Sequence, residues 1–230
     1  MTDSLSDEKI LDSWKKNGKP WTRAVRNREI QSREQVTNQA IIDALLALSP
    51  TTVLDIGCGE GWLCRALASH HIECVGIDAV DELITLARTA QPPRTDVTYL
   101  TLSYDDFSRG TLHQRFDALV CNFSLLGEYS VAAVLVQAAQ QMNVNGSIVV
   151  QTLHPLAACG DQPYISGWRE GSWAGFSNHF VDPPPWYFRT LEDWRALFQS
   201  CGLMIEAETT PMLDGAALPA SIIFTARVAP

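Results

Sequence analysis

Apolar residues along this chain follow two alternating rhythms. Short apolar runs bounded by turn residues, the mark of buried strands, begin at Val53, Ile72, Val97, Phe116, Asn145, Met204 and Ala220. Between them, apolar positions recur at helical spacing. From Ser32 to Leu48 these are Val36, Ala40, Ile41, Ala44, Leu45 and Leu48, and Ser49-Pro50 ends the helix. Further helices are predicted at Trp62–Ser69, Asp81–Ala90, Val131–Met142 and Leu191–Ser200. Strands alternating with helices predict a parallel sheet covered on both faces. The last two runs, Met204–Thr209 and Ala220–Arg227, are joined by a loop alone, which favours an antiparallel pair. The expected class is α/β: a mostly parallel seven-stranded sheet, helices on both faces, and a C-terminal antiparallel strand pair.

Two segments fall outside this rhythm. Residues 1–30 read as a loosely structured or helical lead-in, with Trp14 and Trp21 as apolar anchors. Residues 155–189 form a long aromatic insertion around a Pro183-Pro184-Pro185 run, and a loop of that length in a compact domain is more often functional than not. The expected organisation is a helical lead-in or lid over residues 1–50, then one domain over residues 51–230 that carries the insertion.

Composition narrows the function. At 230 residues the chain suits one domain with a full core. Its formal charge of −9 repels nucleic-acid phosphates and anionic membranes, and no apolar stretch is long enough for a membrane span. The stretch from Met1 to Lys16 is polar and has no signal-peptide core, so the expected compartment is the cytoplasm. Six cysteines without C-x-x-C spacing indicate buried thiols, with no disulfide and no metal site. One segment opposes the acidic balance: Lys15 to Arg33 carries seven basic residues and one acid, Glu29. Such a run is usually a solvated face; the functional alternative is a lid that brings a cation to an anionic group. Nothing in the pattern sets an oligomeric state.

The chemistry concentrates where the first strand meets a glycine turn, Val53-Leu-Asp55-Ile-Gly57-Cys58-Gly59-Glu-Gly61. Glycines there let backbone and ligand approach closely, and Asp55 inside the apolar run needs a partner. The second strand ends in another acid, Asp78, followed by Ala79, placed to take the hydroxyls of a ribose. Helix capping is the competing role for that acid. In a nicotinamide site the residue after the third glycine is small, whereas here it is Trp62. A pyrophosphate at the helix start also conflicts with Glu60. A nucleoside ligand with an amino-acid tail and no phosphate avoids both conflicts. At the end of the fifth strand, His154 faces the ligand edge of the sheet, either as a general base or as an anchor for the loop that follows. His179 in the insertion is a weaker candidate.

On these motifs the chain resembles the class I S-adenosylmethionine (SAM)-dependent methyltransferases, especially the small-molecule members of the type-11 and type-12 kind. The resemblance runs from about Val53 to Val228 and implies a Rossmann-like sheet. It implies that the loop Asp55–Gly61, including Gly57, Cys58, Gly59 and Gly61, wraps the methionine end of SAM. Asp78 and Ala79 then lie at the ribose. Family members place an acid against the adenine amine after the third strand. This chain has Ser103 at that place, leaving Asp105 or the Tyr104 backbone for the role. Asn122 and Phe123, ending the fourth strand, lie beside the sulfonium. Arg33 is placed to reach the methionine carboxylate and Trp21 to cover the cofactor. Trp168, Trp173, Trp186 and Tyr187, with His179, are candidates to line an acceptor pocket floored by His154.

The expected function is transfer of a methyl group from SAM to the oxygen or nitrogen of a small molecule, leaving S-adenosylhomocysteine (SAH). A nicotinamide-dependent oxidoreductase and a non-catalytic SAM-binding regulator are the alternatives. Trp62 and the C-terminal strand pair count against the first, and the aromatic insertion against the second.

Overall fold

Four consecutive residues, Val53 to Ile56, are buried in β1 (Thr52–Ile56), the pattern of a strand covered on both faces. The computed structural model describes residues 4–90 and 94–229; residues 1–3, 91–93 and 230, which belong to the expected lead-in and domain, lie outside the described residues. The remaining strands are β2 (Glu73–Asp78), β3 (Val97–Thr101), β4 (Phe116–Asn122), β5 (Met142–Leu153), β6 (Gly167–Arg169), β7 (Trp186–Phe188), β8 (Leu203–Thr209) and β9 (Ser221–Val228). Seven of them form one sheet in the order β3-β2-β1-β4-β5-β9-β8. β1 to β5 pair in parallel, and β9 runs antiparallel to both β5 and β8. The α/β class, the mostly parallel sheet and the closing antiparallel pair all agree with the periodicity.

Alternation along each strand divides the core into two layers. Leu54, Ile56, Leu119, Ile148, Val150 and Phe224 pack under the helices α5 (Tyr104–Ser108), α6 (Tyr129–Gln141) and α8 (Leu191–Ser200). Val53, Val120, Val149 and Ile223 face α2 (Asn38–Leu46), α3 (Trp62–Ala68) and α4 (Asp81–Arg88). Ile41 and Leu45 of α2 are fully buried in that second layer. The helix predicted from Ser32 therefore forms, but its first turn is a π-helix, Arg33–Thr37, in which Asn38 N–H bonds Arg33 O. Single π turns inside helices often mark functional positions.

The lead-in is more regular than its pattern suggested. It is a 20-residue helix, α1 (Asp7–Arg26), capped by Ser6, whose hydroxyl accepts the Lys9 N–H at 3.2 Å. Acids in its first turn and Arg23 and Arg26 in its last suit the helix dipole. Its buried face is largely small and polar (Ser13, Asn17, Gly18, Thr22, Ala24), and Pro20 sits inside it. That face meets the insertion, where Asn17 donates to Val181 O and accepts from Val181 N. Lys9 and Lys16 both bond the Asp182 carboxylate. The insertion itself is not irregular throughout: it holds a short helix, α7 (Pro155–Cys159), and the two-stranded β6–β7 ribbon.

Candidate functional site

The three glycines of the β1–α3 turn all have left-handed φ, +78° at Gly57, +57° at Gly59 and +80° at Gly61. Only glycine adopts that region at little cost, so the turn is dictated by residue type. Their surroundings differ. A Cβ on Gly57 would collide with Ser124 and Tyr104, and one on Gly61 with Tyr99. At Gly59 only the Trp21 indole nitrogen lies near, at 3.7 Å. Close approach by a ligand is thus available at Gly59, while Gly57 and Gly61 are glycines because protein atoms press on them.

Asp78 stands at the turn from β2. Its Oδ2 accepts the Gly59 N–H at 2.9 Å and its Oδ1 accepts the Val80 N–H at 2.9 Å. The capping role and the ligand role therefore coexist: each oxygen keeps a second lone pair after holding the loop. Burial raises its pKa and these two hydrogen bonds oppose that rise. Ala79 is the half-buried residue between the acid and Val80.

Asp55 is 2% exposed; its Oδ2 accepts from the Cys64 thiol at 3.4 Å, and its Oδ1 has no partner. Burial pushes its pKa up to about 7. Arg33 is the matching cation. It is 8% exposed, its Nε donates to Asn38 Oδ1 at 3.1 Å, and one terminal nitrogen, Nη2, has no partner. Its guanidinium lies 4.8 Å from the Trp62 ring centroid and 5.6 Å from that of Trp21. Burial lowers its pKa to about 10, so it stays charged near neutrality. The site thus holds a carboxyl oxygen and a cationic nitrogen, both buried and both lacking a partner. A zwitterion supplies what each lacks, and the amino-acid tail expected from the sequence is one.

Helix α1 closes over this turn. Glu60, 1% exposed, bonds Arg26 at 2.8 Å and Arg65 at 2.7 Å, tying α1 to the glycine loop and to α3. Lys19 pairs with Glu82 of α4, and the Asp7 carboxylate accepts the Glu128 and Ser130 N–H groups at the start of α6. Trp21, Trp14 and Trp173 follow one another edge to face at 5.2 and 5.8 Å, so the cover and the insertion share a small aromatic core.

Several residues expected at the ligand have side-chain partners within the protein. Asp105 is solvent-facing and paired with Arg109, because Ser103 caps α5 and turns that residue outward. Tyr104 points its hydroxyl to Ser124 O at 2.9 Å, where it braces the loop after β4. The Cys58 thiol is buried beside Gly76 and donates to Gly59 O at 3.7 Å, so it packs within the turn itself. His154 caps α7: its Nδ1 accepts the Leu156 N–H at 3.3 Å. Burial lowers the His154 pKa, so the ring is neutral, and with the Nδ1 lone pair engaged its proton sits on Nε2. In that tautomer Nδ1 is used to cap α7, the arrangement that the anchor role requires. His154→Asn, which preserves the cap, is expected to change turnover by no more than a few-fold, against the ~10²-fold loss a general base would show. A pH–rate profile without a His-type inflection would accompany it.

The acceptor-side aromatics do not form one wall. Trp168 and Tyr187 are register partners on β6 and β7, and Trp168 Nε1 donates to Glu128 at 2.9 Å. Trp186 lies on the other face of that ribbon with Phe188, where Arg169 stacks on both rings. Trp173 belongs to the aromatic core under α1, and His179 is exposed, with Ser177 3.3 Å away. Glu128 and the π turn were invisible in the pattern, and so were the ion pairs of Glu60 with Arg26 and Arg65, since tertiary packing sets them.

Phe123 completes the edge of the sheet. It has a left-handed φ of +53°, unusual for an aromatic residue, and donates its N–H to Gln151 O at 2.8 Å. Ser124 Oγ donates to Ile56 O at 2.7 Å, pinning the loop after β4 to β1.

Comparison with known proteins places this geometry. A family model described as a methyltransferase domain matches residues 30–208. Among curated relatives, the ubiquinone biosynthesis O-methyltransferase of Hydrogenovibrio crunogenus is 30% identical over 104 residues, 45% of this chain and 43% of that protein. That of Xylella fastidiosa is 32% identical over 114 residues, 49% and 46% of the two chains. The chain therefore spans under half the length of these relatives. Magnesium protoporphyrin IX methyltransferase from Synechocystis PCC 6803, solved with SAH, superposes with a TM-score of 0.67 at 18% identity over 97% of this chain and 100% of that one. A SAM-dependent methyltransferase from Clostridium acetobutylicum gives 0.66 at 11% identity, covering 90% and 96%. At those identities the structures share the fold alone, whereas the family match covers most of the sequence: the chain belongs to the methyltransferase-domain family and carries its class I, Rossmann-like sheet.

Proposed function

We propose that this protein transfers a methyl group from SAM to a small-molecule acceptor and releases SAH. The observation that carries the reading is the buried pair of unpartnered atoms, Asp55 Oδ1 and Arg33 Nη2, at a glycine turn open only at Gly59. Arg33 holds the methionine carboxylate and Asp55 its ammonium, while Asp78 uses its free lone pairs for the ribose hydroxyls. The adenine lies against the Ala79 and Tyr104 backbone, and Asn122 and Phe123 border the reacting end. SAM supplies an already activated methyl, so an acceptor lone pair takes that carbon while the C–S electron pair stays with SAH. The protein's part is then alignment and exclusion of water, and alignment is worth about 7–11 kcal/mol in favourable cases.

Residues 1–50 act as the cover, with Trp21 over the cofactor, and residues 51–230 as the cofactor and acceptor domain. Trp168 and Tyr187 border the acceptor through Glu128. No helix among the described residues is long and apolar enough to cross a membrane, and all six cysteines are free and buried. Reduced thiols suit the cytoplasm, which we take as the setting.

Calorimetry with SAM, SAH and NAD tests the cofactor: SAM and SAH should bind and NAD should not. NAD binding without SAM binding would end the reading. A pH dependence follows from Asp55. Its folded pKa is raised from 3.8 to about 7, so between those values the unfolded chain alone loses the proton. Folding stability should fall as pH rises across that window and then level off. SAM affinity should rise over the same window, because the cationic ammonium favours the carboxylate. Asp55→Asn should remove the Asp55 contribution to both slopes, stabilising the ligand-free protein above pH 7 while weakening SAM. Slopes that persist unchanged in the variant would refute the assignment.

A further inference from the structure

We propose that Thr37, Asn122 and Gln151 form the seat for the acceptor's reacting group, and that the group they suit is a primary amine. The inference rests on the methyl-transfer reading above.

Seven buried side-chain polar atoms among the described residues lack a partner. Three of them, Asp55 Oδ1, Asn122 Oδ1 and Gln151 Oε1, sit on neighbouring strands of one sheet face, and Arg33 Nη2 and Thr37 Oγ1 belong to the π turn that leads into α2, the helix covering that face. Asp55 alternates with Val53, Asn122 with Val120 and Gln151 with Val149, so all three side chains stand on the face covered by α2. Helix α2 ends shortly before β1 begins, so its other end, with Arg33 and Thr37, lies at the carboxyl edge of the strands. Ile41 and Leu45 are packed below them. Buried polar atoms are normally hydrogen-bonded, and leaving one without a partner costs about 1–3 kcal/mol. Such atoms on the face that carries the glycine turn have hydrogen-bonding capacity to give to a ligand.

Arg33 and Asp55 serve the cofactor tail, which leaves three. Asn122 and Gln151 are register partners on adjacent parallel strands, about 4.8 Å apart in backbone spacing. Gln151 is 1% exposed and held firmly: its Nε2 donates to Ser221 Oγ at 2.9 Å, and its backbone oxygen accepts from Phe123. Both free atoms are amide oxygens, which accept hydrogen bonds and do not take protons near neutral pH. They call for two donor hydrogens on one small group. A neutral primary amine has two N–H bonds and one lone pair, so seating both hydrogens leaves the lone pair for the methyl carbon. A hydroxyl fills one oxygen and strands the other, and a carboxylate or phosphate brings no hydrogens at all. The Thr37 hydroxyl, able to donate or accept, lies buried in the π turn that leads into α2, the helix covering this face. In the reaction the nitrogen lone pair forms the N–C bond and the C–S bond breaks with its electrons on sulfur. The surplus proton then passes from nitrogen to water, which requires no histidine base and agrees with the donor tautomer of His154.

The test uses the full chain and the variants Thr37→Val and Gln151→Leu, the latter combined with Ser221→Ala so that no hydroxyl is stranded. Thermal melts read the first consequence. If the seat is unsatisfied without acceptor, Thr37→Val melts at the same temperature or higher, whereas a drop of several degrees shows the hydroxyl is already satisfied and overturns the proposal. SAM calorimetry follows, with affinity expected unchanged in both variants. Matched aryl and alkyl amines and their hydroxyl analogues are then assayed for binding in the presence of SAH and for methylation with SAM. Amines should be preferred, and the Gln151→Leu variant should lose roughly 10- to 100-fold in kcat/KM for them. Preference for the hydroxyl analogues, or a panel in which no amine binds or is methylated, overturns the proposal even when SAM binds. A wild-type chain that fails to bind SAM removes the parent reading instead.

Discussion

Arg33→Met is expected to weaken SAM binding by about 2–5 kcal/mol while leaving the fold intact. The wild-type guanidinium is 8% exposed, pressed between two indoles, with a terminal nitrogen that no protein atom satisfies. Removing one member of a buried charge pair strands the other, here the methionine carboxylate, which explains the size of the loss. Methionine keeps the length and the ring contacts, so ligand-free stability should hold or rise. The control is a nucleoside without the amino-acid tail. 5′-Methylthioadenosine should bind wild type and variant equally, and an equal loss for both ligands would show that Arg33 only props up the turn. Arg33→Lys should fall between, because an ammonium retains charge but not the planar fork.

Asp78→Ala is expected to cost about 1–3 kcal/mol of SAM affinity through lost ribose hydrogen bonds. The loss should not stop there. The same carboxylate holds the Gly59 and Val80 N–H groups, so the variant also frees the one glycine whose open side receives the ligand. Asp78→Asn should also weaken SAM, since only one side-chain end still accepts and either Gly59 or Val80 loses its bond together with an acceptor for the ribose. A 2′-deoxy analogue of SAM should lose less than SAM in going from wild type to Asp78→Ala. Identical losses for both analogues, or unchanged SAM affinity, would remove Asp78 from the ribose.

How much of this was legible in the sequence depends on which contacts each residue needs. The glycine turn was legible because left-handed backbone is a property of residue type and the flanking strand and helix are local patterns. That Gly57 and Gly61 answer to Ser124, Tyr104 and Tyr99, and Gly59 alone to open space, depends on residues distant in the chain. Helix α1 was only partly visible: its buried face is polar and carries Pro20, and its partners are Asp182, Glu60 and Glu82. His154 could be placed at the edge of the sheet from its position after β5. Its tautomer could not, because that is set by the Leu156 amide through the start of a helix that the apolar pattern does not mark.

By itself the sequence determined the α/β sheet, the order of its strands along the chain and the place of the glycine turn. These follow from period-2 and period-3.6 burial and from glycine's conformational range, which are local quantities. Only the tertiary structure decided which polar side chains are left without partners. Whether a buried oxygen is satisfied depends on every element packed around it: Asn122 and Gln151 meet through strand register, and Thr37 is buried in the π turn that leads into α2. The glycine turn was written in local pattern, whereas unpaired polar atoms are a product of folding.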